Sequence, residues 1–205
     1  MTNRQYKVIL ISMSGVRVYN KRLLELGLTL PGFVDRSKVI ASLASLGLLT
    51  LAAHTPDNWE IIYKELDNYT ETEITEIINE QPNIIAFSSL TARINETYIL
   101  AERFREQGIK VVIGGLHVSA LPNEAMKFAD CIIQGEGEII WETLLSDCEN
   151  NKLKPLYSSL SNSDYTFHFN SSKVPKYELL DISKYNRLTI QTTRGCPLHC
   201  IFCAA

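Results

Sequence analysis

Three of the chain's five cysteines fall within TRGCPLHCIFCAA, as Cys196, Cys200 and Cys203, with the spacing C-x3-C-x2-C. Thiolates are ligands for soft and borderline metals. Three of them converging from one short loop can hold a 4Fe-4S cluster and leave one iron open to a further ligand. Zinc is the rival reading, but it wants a fourth ligand, and His199 lies inside the loop beside Cys200 with no second cysteine pair elsewhere in the sequence. The third reading is three buried, unliganded thiols, which leaves the neighbouring Gly195 and Pro197 without a role.

Smaller groups of candidate residues stand further up the chain. Ser88-Ser89-Leu90 and Gly114-Gly115 each follow an apolar run, and His117 comes just after the glycine pair. A serine hydroxyl can bond a buried heteroatom, and glycines let a ligand approach the backbone closely. Taken alone, each is equally a common sequence or a tight turn. His117 is read as a hydrogen-bonded loop residue in preference to a metal ligand. Gly135-Glu136-Gly137-Glu138 offers two carboxylates that could split their pKa values for acid–base work. The junction of a strand with a helix is also where acids are favoured by the helix N-terminus, so this stretch is read as a helix start or the rim of a binding site. Cys131 and Cys148 are read as packed thiols, and His54 and His168 carry no motif.

The elements that must position these residues alternate in period. Tyr6 to Ser12 is a short β-branched apolar run, a buried-strand pattern. Ser37 to Ala53 has apolar residues at helical spacing, interrupted by Gly47. Strands are expected at Glu60–Leu66, Asn83–Ser88, Ile109–Ile113 and Cys131–Gln134. Helices are expected at Glu71–Glu80, Glu96–Gln107, Asn123–Phe128 and Ile139–Asp147, with Gly108 as a C-cap. Five strands alternating with helices predict an α/β fold: a Rossmann-like, flavodoxin-like parallel sheet covered on both faces, over residues 1–150. In such sheets ligands bind outside the carboxyl ends of the strands, where both the serine and the glycine motifs fall. Residues 151–187 include a Ser-, Asn-, Lys- and Pro-rich stretch read as a surface linker. Arg187–Thr192 (RLTIQT) is then a new strand that delivers the chain into the cysteine loop.

Composition excludes several classes. Hydrophobic residues make up 45% and charged residues 21% of the 205, with a net charge of −3. That balance is ordinary for a globular protein and gives no reason to expect nucleic acid or an acidic membrane as partner. A signal peptide is not expected, nor a membrane span, because no apolar run approaches the roughly eighteen residues it needs. Odd, clustered cysteines point to a reducing, cytoplasmic compartment.

RGCPLHCIFCA resembles the cluster-binding motif of the radical S-adenosylmethionine (radical SAM) superfamily, with arginine and glycine before the first cysteine and an aromatic before the third. In that family the motif follows the first strand of a β/α barrel, which suits RLTIQT and makes residues 188–205 the start of a truncated barrel. The resemblance implies that Cys196, Cys200 and Cys203 ligate a 4Fe-4S cluster, that the methionyl group of SAM chelates its open iron, and that Phe202 packs near the adenine. It also implies that the reduced cluster cleaves SAM to a radical.

The preceding domain is similar to the cobalamin-binding domain found in one subfamily of those proteins. Four stretches carry the similarity: Ser45–Pro56, Ser88–Leu90, GGLH at 114–117 and GEGE at 135–138. It implies that Ser88, Leu90, Gly114 and Gly115 accommodate the benzimidazole tail of cobalamin. The D-x-H-x-x-G sequence whose histidine ligates cobalt in many such domains is absent; that loop reads SMSGVRVYNKR. The expected function is the N-terminal part of a cobalamin-dependent radical SAM enzyme, a methyltransferase or a carbon-skeleton catalyst. The alternatives are a stand-alone corrinoid-binding module and a doubly wound domain without cofactor. The small-molecule substrate is not legible, and a separate chain supplying the barrel is among the expected partners.

Overall fold

Residues 6–13, 44–66, 69–160, 172–185 and 188–194 are described by the computed structural model; the statements below concern these residues. The apolar runs form β1 (Tyr6–Met13), β2 (Trp59–Glu65), β3 (Ile84–Ser89), β4 (Lys110–Gly114) and β5 (Cys131–Gln134), and a short β6 (Leu156–Ser158) follows. All pair in parallel, in the order β2-β1-β3-β4-β5-β6. The α/β parallel sheet is as the sequence predicts, with one strand more than the five expected. β6 lies within the segment read as linker. Its three residues are too short to show a period, and their pairing is decided by the neighbouring edge of β5.

Helices cover both faces: α1 (Leu46–Ala53), α2 (Glu71–Asn79), α3 (Ile94–Glu106), α4 (Leu116–Ala120), α5 (Pro122–Ala125) and α6 (Trp141–Glu149). Alternation along each strand divides the core in two. Ile9, Ile11, Ile85, Phe87, Val111 and Ile113 meet α2 and α3, whereas Val8, Leu10, Ala86, Val112 and Ile133 meet α1 and α6. At about 25 cal/mol per Å² of apolar surface, these two layers are the main force holding the sheet between its helices. α2 begins with a capping box, in which the Thr70 hydroxyl accepts from the Glu73 N–H and Glu73 accepts from the Thr70 N–H. The helix expected over 123–128 is the shorter α5, ending at Ala125, and α4 precedes it as an element the sequence reading did not include, the two broken at Leu121 before Pro122.

Two further expectations fail. Residues 188–192 of RLTIQT are exposed and form no strand, because alternation supplies only propensity and a strand needs a partner edge to satisfy its backbone. Residues 172–185 do not simply run over the surface. Leu180 is buried, Leu179 packs against the core layer under α1 and α6, and the Lys176 N–H donates to Leu49 O at 3.1 Å.

Candidate functional site

The order β2-β1-β3 reverses direction at β1, so the crevice beyond the carboxyl ends of β1 and β3 is the switch point of the sheet. Register aligns Ser12 with Ser88 and Ser88 with Gly114 across three adjacent strands. Ser88 is half-buried. Its neighbour Ser89 is buried, accepts from the Thr97 hydroxyl at 2.8 Å and donates to Leu90 O at 3.1 Å. Gly115 has φ +113°, a conformation L side chains rarely adopt, and a Cβ there would stand 3.2 Å from Ser89 O and 3.7 Å from Ser88 Oγ. The glycine therefore keeps the backbone of β3 and the Ser88 hydroxyl open at this edge. Leu90, Leu116 and Ile139 follow β3, β4 and β5 and are 39%, 54% and 39% exposed, so three apolar side chains border the same edge.

The sequence-predicted Ser88, Leu90, Gly114 and Gly115 are thus brought together. Cys196, Cys200, Cys203 and Phe202 lie outside the described residues.

His117 stands in the first turn of α4, buried, with Nδ1 3.2 Å from Thr91 Oγ1 and Nε2 3.2 Å from Glu124 Oε1. Tyr98 also donates to Glu124 Oε1, at 3.0 Å. A carboxylate only accepts, so Nε2 carries the hydrogen toward Glu124 and both ring nitrogens are engaged. The hydrogen bonds from His117 and then from Tyr98 hold the Glu124 carboxyl below the usual carboxylate range. Burial, reinforced by that same carboxylate, pushes the Tyr98 phenol up. The imidazole is a clamp between the β3 and β4 loops.

The 135–138 loop leads from β5 into a 3-10 turn at Gly137–Ile139 and on to α6, as the helix-start reading expects, and it is gripped by residues from other elements. Ser119 Oγ accepts from the Gly135 N–H at 2.9 Å and Ser159 Oγ accepts from the Glu136 N–H at 2.6 Å, so residues from α4 and from just beyond β6 grip the loop from two sides. Arg194, from the cysteine-bearing segment, donates through Nη1 to Glu136 Oε2 at 2.8 Å and also to Glu138 Oε1, and through Nη2 to Gln191 Oε1 at 2.8 Å. The acids were visible in the sequence; their cation, some 58 positions away, was not. Two open surface hollows of about 370 and 550 Å³ are lined instead by Glu102, Arg105, Glu106 and Asp130, and by Lys7, Lys64 and residues at the end of α2. Their charged, open walls do not suit an apolar ligand. Among the described residues no group of three His, Cys, Asp or Glu forms a metal site, and no helix is long and apolar enough to cross a membrane.

The profile of the B12 binding domain family matches residues 35–145. The chain belongs to that family. Its cobalamin-binding domain is homologous to the corresponding parts of methyltransferases. It is 37% identical over 129 residues to bacteriochlorophyllide d C-8(2)-methyltransferase of Chlorobaculum tepidum, covering 59% of this chain and 28% of that protein. It is 25% identical over 165 residues to hopanoid C-2 methylase of Rhodopseudomonas palustris, covering 80% of this chain and 31% of that protein. The chain thus spans roughly 30% of the length of these relatives. A solved N-terminal domain of a hypothetical protein of Thermotoga maritima aligns over 45% of the chain and 76% of its own, at 21% identity and a TM-score of 0.36. The carboxyl edge suits the group this family binds: a glycine whose Cβ would crowd the β3 backbone, an accessible hydroxyl, and an apolar rim at a switch point.

Proposed function

We propose that this chain is the corrinoid-binding part of a methyltransferase that pairs cobalamin with a radical SAM centre. The observation that carries the reading is the open edge at Gly115, where Ser88, Gly114 and Leu90 converge within a B12-binding domain. Ser88 would hydrogen-bond the buried tail of the corrinoid, Gly114 and Gly115 would let it lie against the backbone, and Leu90, Leu116 and Ile139 would exclude water from its rim. When bound, cobalamin supplies a cobalt centre able to carry a methyl group. The engaged His117 stays off the cobalt, because its two nitrogens are already held by Thr91 and Glu124. Cys196, Cys200 and Cys203 would hold a 4Fe-4S cluster with SAM on its open iron, as their spacing and the radical SAM resemblance support. The relatives are named for methyl transfer to unlike acceptors, bacteriochlorophyllide and hopanoid. The part shared with this chain is accordingly read as methyl-relaying and not acceptor-binding.

Titration of the 205-residue chain with aquocobalamin tests the reading. The wild type should give a saturable shift of the corrinoid bands. Its cob(II)alamin electron paramagnetic resonance should lack splitting from a coordinated nitrogen, and Gly115→Val should weaken binding by about tenfold or more through strain at positive φ. Anaerobic reconstitution should add about four irons per chain, lost in Cys196→Ala. Failure to take up corrinoid would reject the reading, and corrinoid uptake without iron would make the chain a corrinoid carrier alone.

A further inference from the structure

Two carboxylates and one guanidinium meet between the corrinoid domain and the cysteine-bearing segment. Glu138 and Arg194 are only 11% and 15% exposed, and Glu136 39%. The acids do not wait on the arginine for their position. Ser119 and Ser159 fix the backbone at Gly135 and Glu136, and Gly137 packs against α1, where an added Cβ would make ordinary contact with the Leu51 side chain at 3.4 Å. Two acids on a loop whose backbone is held in this way make a site for one cation between them. Arg194 is that cation, and its second amino group is held by Gln191 of its own segment.

We infer that the 135–138 loop is the docking site for the arginine of the cysteine motif, and that Arg194 with Glu136 and Glu138 forms a latch seating the cluster-binding segment on the corrinoid edge. The role of that segment rests on the function proposed above; the latch itself rests on the contacts alone. Geometry supplies the reason for a latch here. The loop follows β5, two strands from β3, so at about 4.8 Å per strand it lies roughly 10 Å along the edge from Ser88. Cys196 follows Arg194 by two residues, a backbone reach of at most about 7 Å. Seating Arg194 therefore tethers the start of the cysteine-bearing segment to the loop after β5. Exposed residues 188–192 contribute no strand pairing to hold the segment; among the described residues, Tyr177, whose hydroxyl donates to Thr189 O at 2.7 Å, and Arg194 contact it through side chains. A partly buried ion pair of this kind sets position more than stability, because desolvation offsets much of its attraction. Arg194 is thus a positioning residue.

Trypsin reads the latch directly, since it must withdraw an arginine side chain into its own pocket before cutting after it. In the full 205-residue chain, cleavage at Arg194 should be slow. In Glu136→Gln/Glu138→Gln it should accelerate about tenfold, the equivalent of roughly 1.4 kcal/mol of opening free energy, with the single variants between. Cleavage at Lys152 and at the exposed Lys173 provides the internal control and should not change. Equal rates at Arg194 in wild type and double variant would overturn the latch, and so would a parallel rise at the control sites. A restoring pair adds a second measurement: Glu138→Asp should recover protection that Glu138→Gln loses, which a purely steric role would not show. Acid-dependent protection in a chain that takes up no corrinoid would leave the latch standing and reject the functional reading alone.

Discussion

Glu124 accepts hydrogen bonds from both His117 and Tyr98, and these hold its carboxyl below the ordinary value of 4.5. A carboxylate depressed in the folded state contributes stability that is present above its unfolded pKa and is lost as pH falls through the folded value. Glu71 beside Arg103 and Glu80 beside Lys7 are depressed for the same kind of reason, so the three act together on the acid side. Glu124→Gln should make stability fall less steeply below about pH 4.5 than in the wild type, while leaving the contributions of Glu71 and Glu80 in place. Urea midpoints at neutral pH and on the acid side of that window measure the slope, and identical slopes would refute the contribution. His117 illustrates how far a single residue can be read. A histidine after a glycine pair suggested a hydrogen-bonded loop position. Its partners, Thr91 and Glu124, come from two different connections, and nothing local in the sequence marks them.

At the scale of elements, α6 is pinned at both ends by tryptophans. Trp141, fully buried at its start, donates to Thr55 Oγ1 at 2.8 Å, and Thr55 in turn donates to Leu51 O of α1. Trp59, buried at the start of β2, donates to Glu149 Oε1 at 2.6 Å near the helix's end. Removing the Trp141 ring should therefore leave a cavity and free a buried hydroxyl. Trp141→Ala should cost about 3–5 kcal/mol and Trp141→Phe about 1–2 kcal/mol, seen as shifts of the urea midpoint. Equal losses in the two variants would show that the hydrogen bond, not the packing, carries the effect. The principal strands and α2, α3 and α6 were legible because each is long enough to show a period of 2 or 3.6 and buries one face. Cys131–Gln134 is bounded where the sequence places it. β6 and the absence of a strand over 188–192 were not legible for opposite reasons. Leu156–Ser158 is too short for a pattern but finds an edge to pair with, whereas RLTIQT has the pattern and no edge. The Arg194 contact escaped because charge pairing across 58 positions leaves no local trace, although two acids in a glycine-flanked loop without a neighbouring cation were a signal that one would come from elsewhere.

For the molecule as a whole, the sheet does not end with the helix at residue 149. Tyr157 is buried in the layer under α1 and α6, donates its hydroxyl to Asp147 Oδ2 at 2.6 Å and accepts from the Lys154 N–H. Ser158 donates to Gln134 Oε1 at 3.1 Å, and Ser159 holds the Glu136 N–H. A chain cut after Asn150 loses all of this. It exposes β5 as an unpaired edge, opens a cavity where Tyr157 packed, and frees the acidic loop from one of its two serine grips. A chain cut after Leu160 keeps them and forfeits, among the described contacts, the packing of Leu179 and Leu180, the Lys176 bond to α1, the Lys173–Glu142 ion pair and the Arg194 contacts with Glu136 and Glu138. Losing a buried aromatic of this size costs about 3 kcal/mol, which for a domain of this length is roughly 10 °C in melting temperature. Residues 1–160 should accordingly melt within about 5 °C of the full chain, and residues 1–150 about 10 °C below residues 1–160, by circular dichroism at fixed protein concentration. Coincident melting of the two truncated chains would mean that β6 decorates the sheet without closing it. The same pair separates fold from function. If the cobalamin site depends on the Gly115 edge and not on the residues after Leu160, residues 1–160 should bind corrinoid as the full chain does, even though they lack Arg194 and every residue of the cysteine loop.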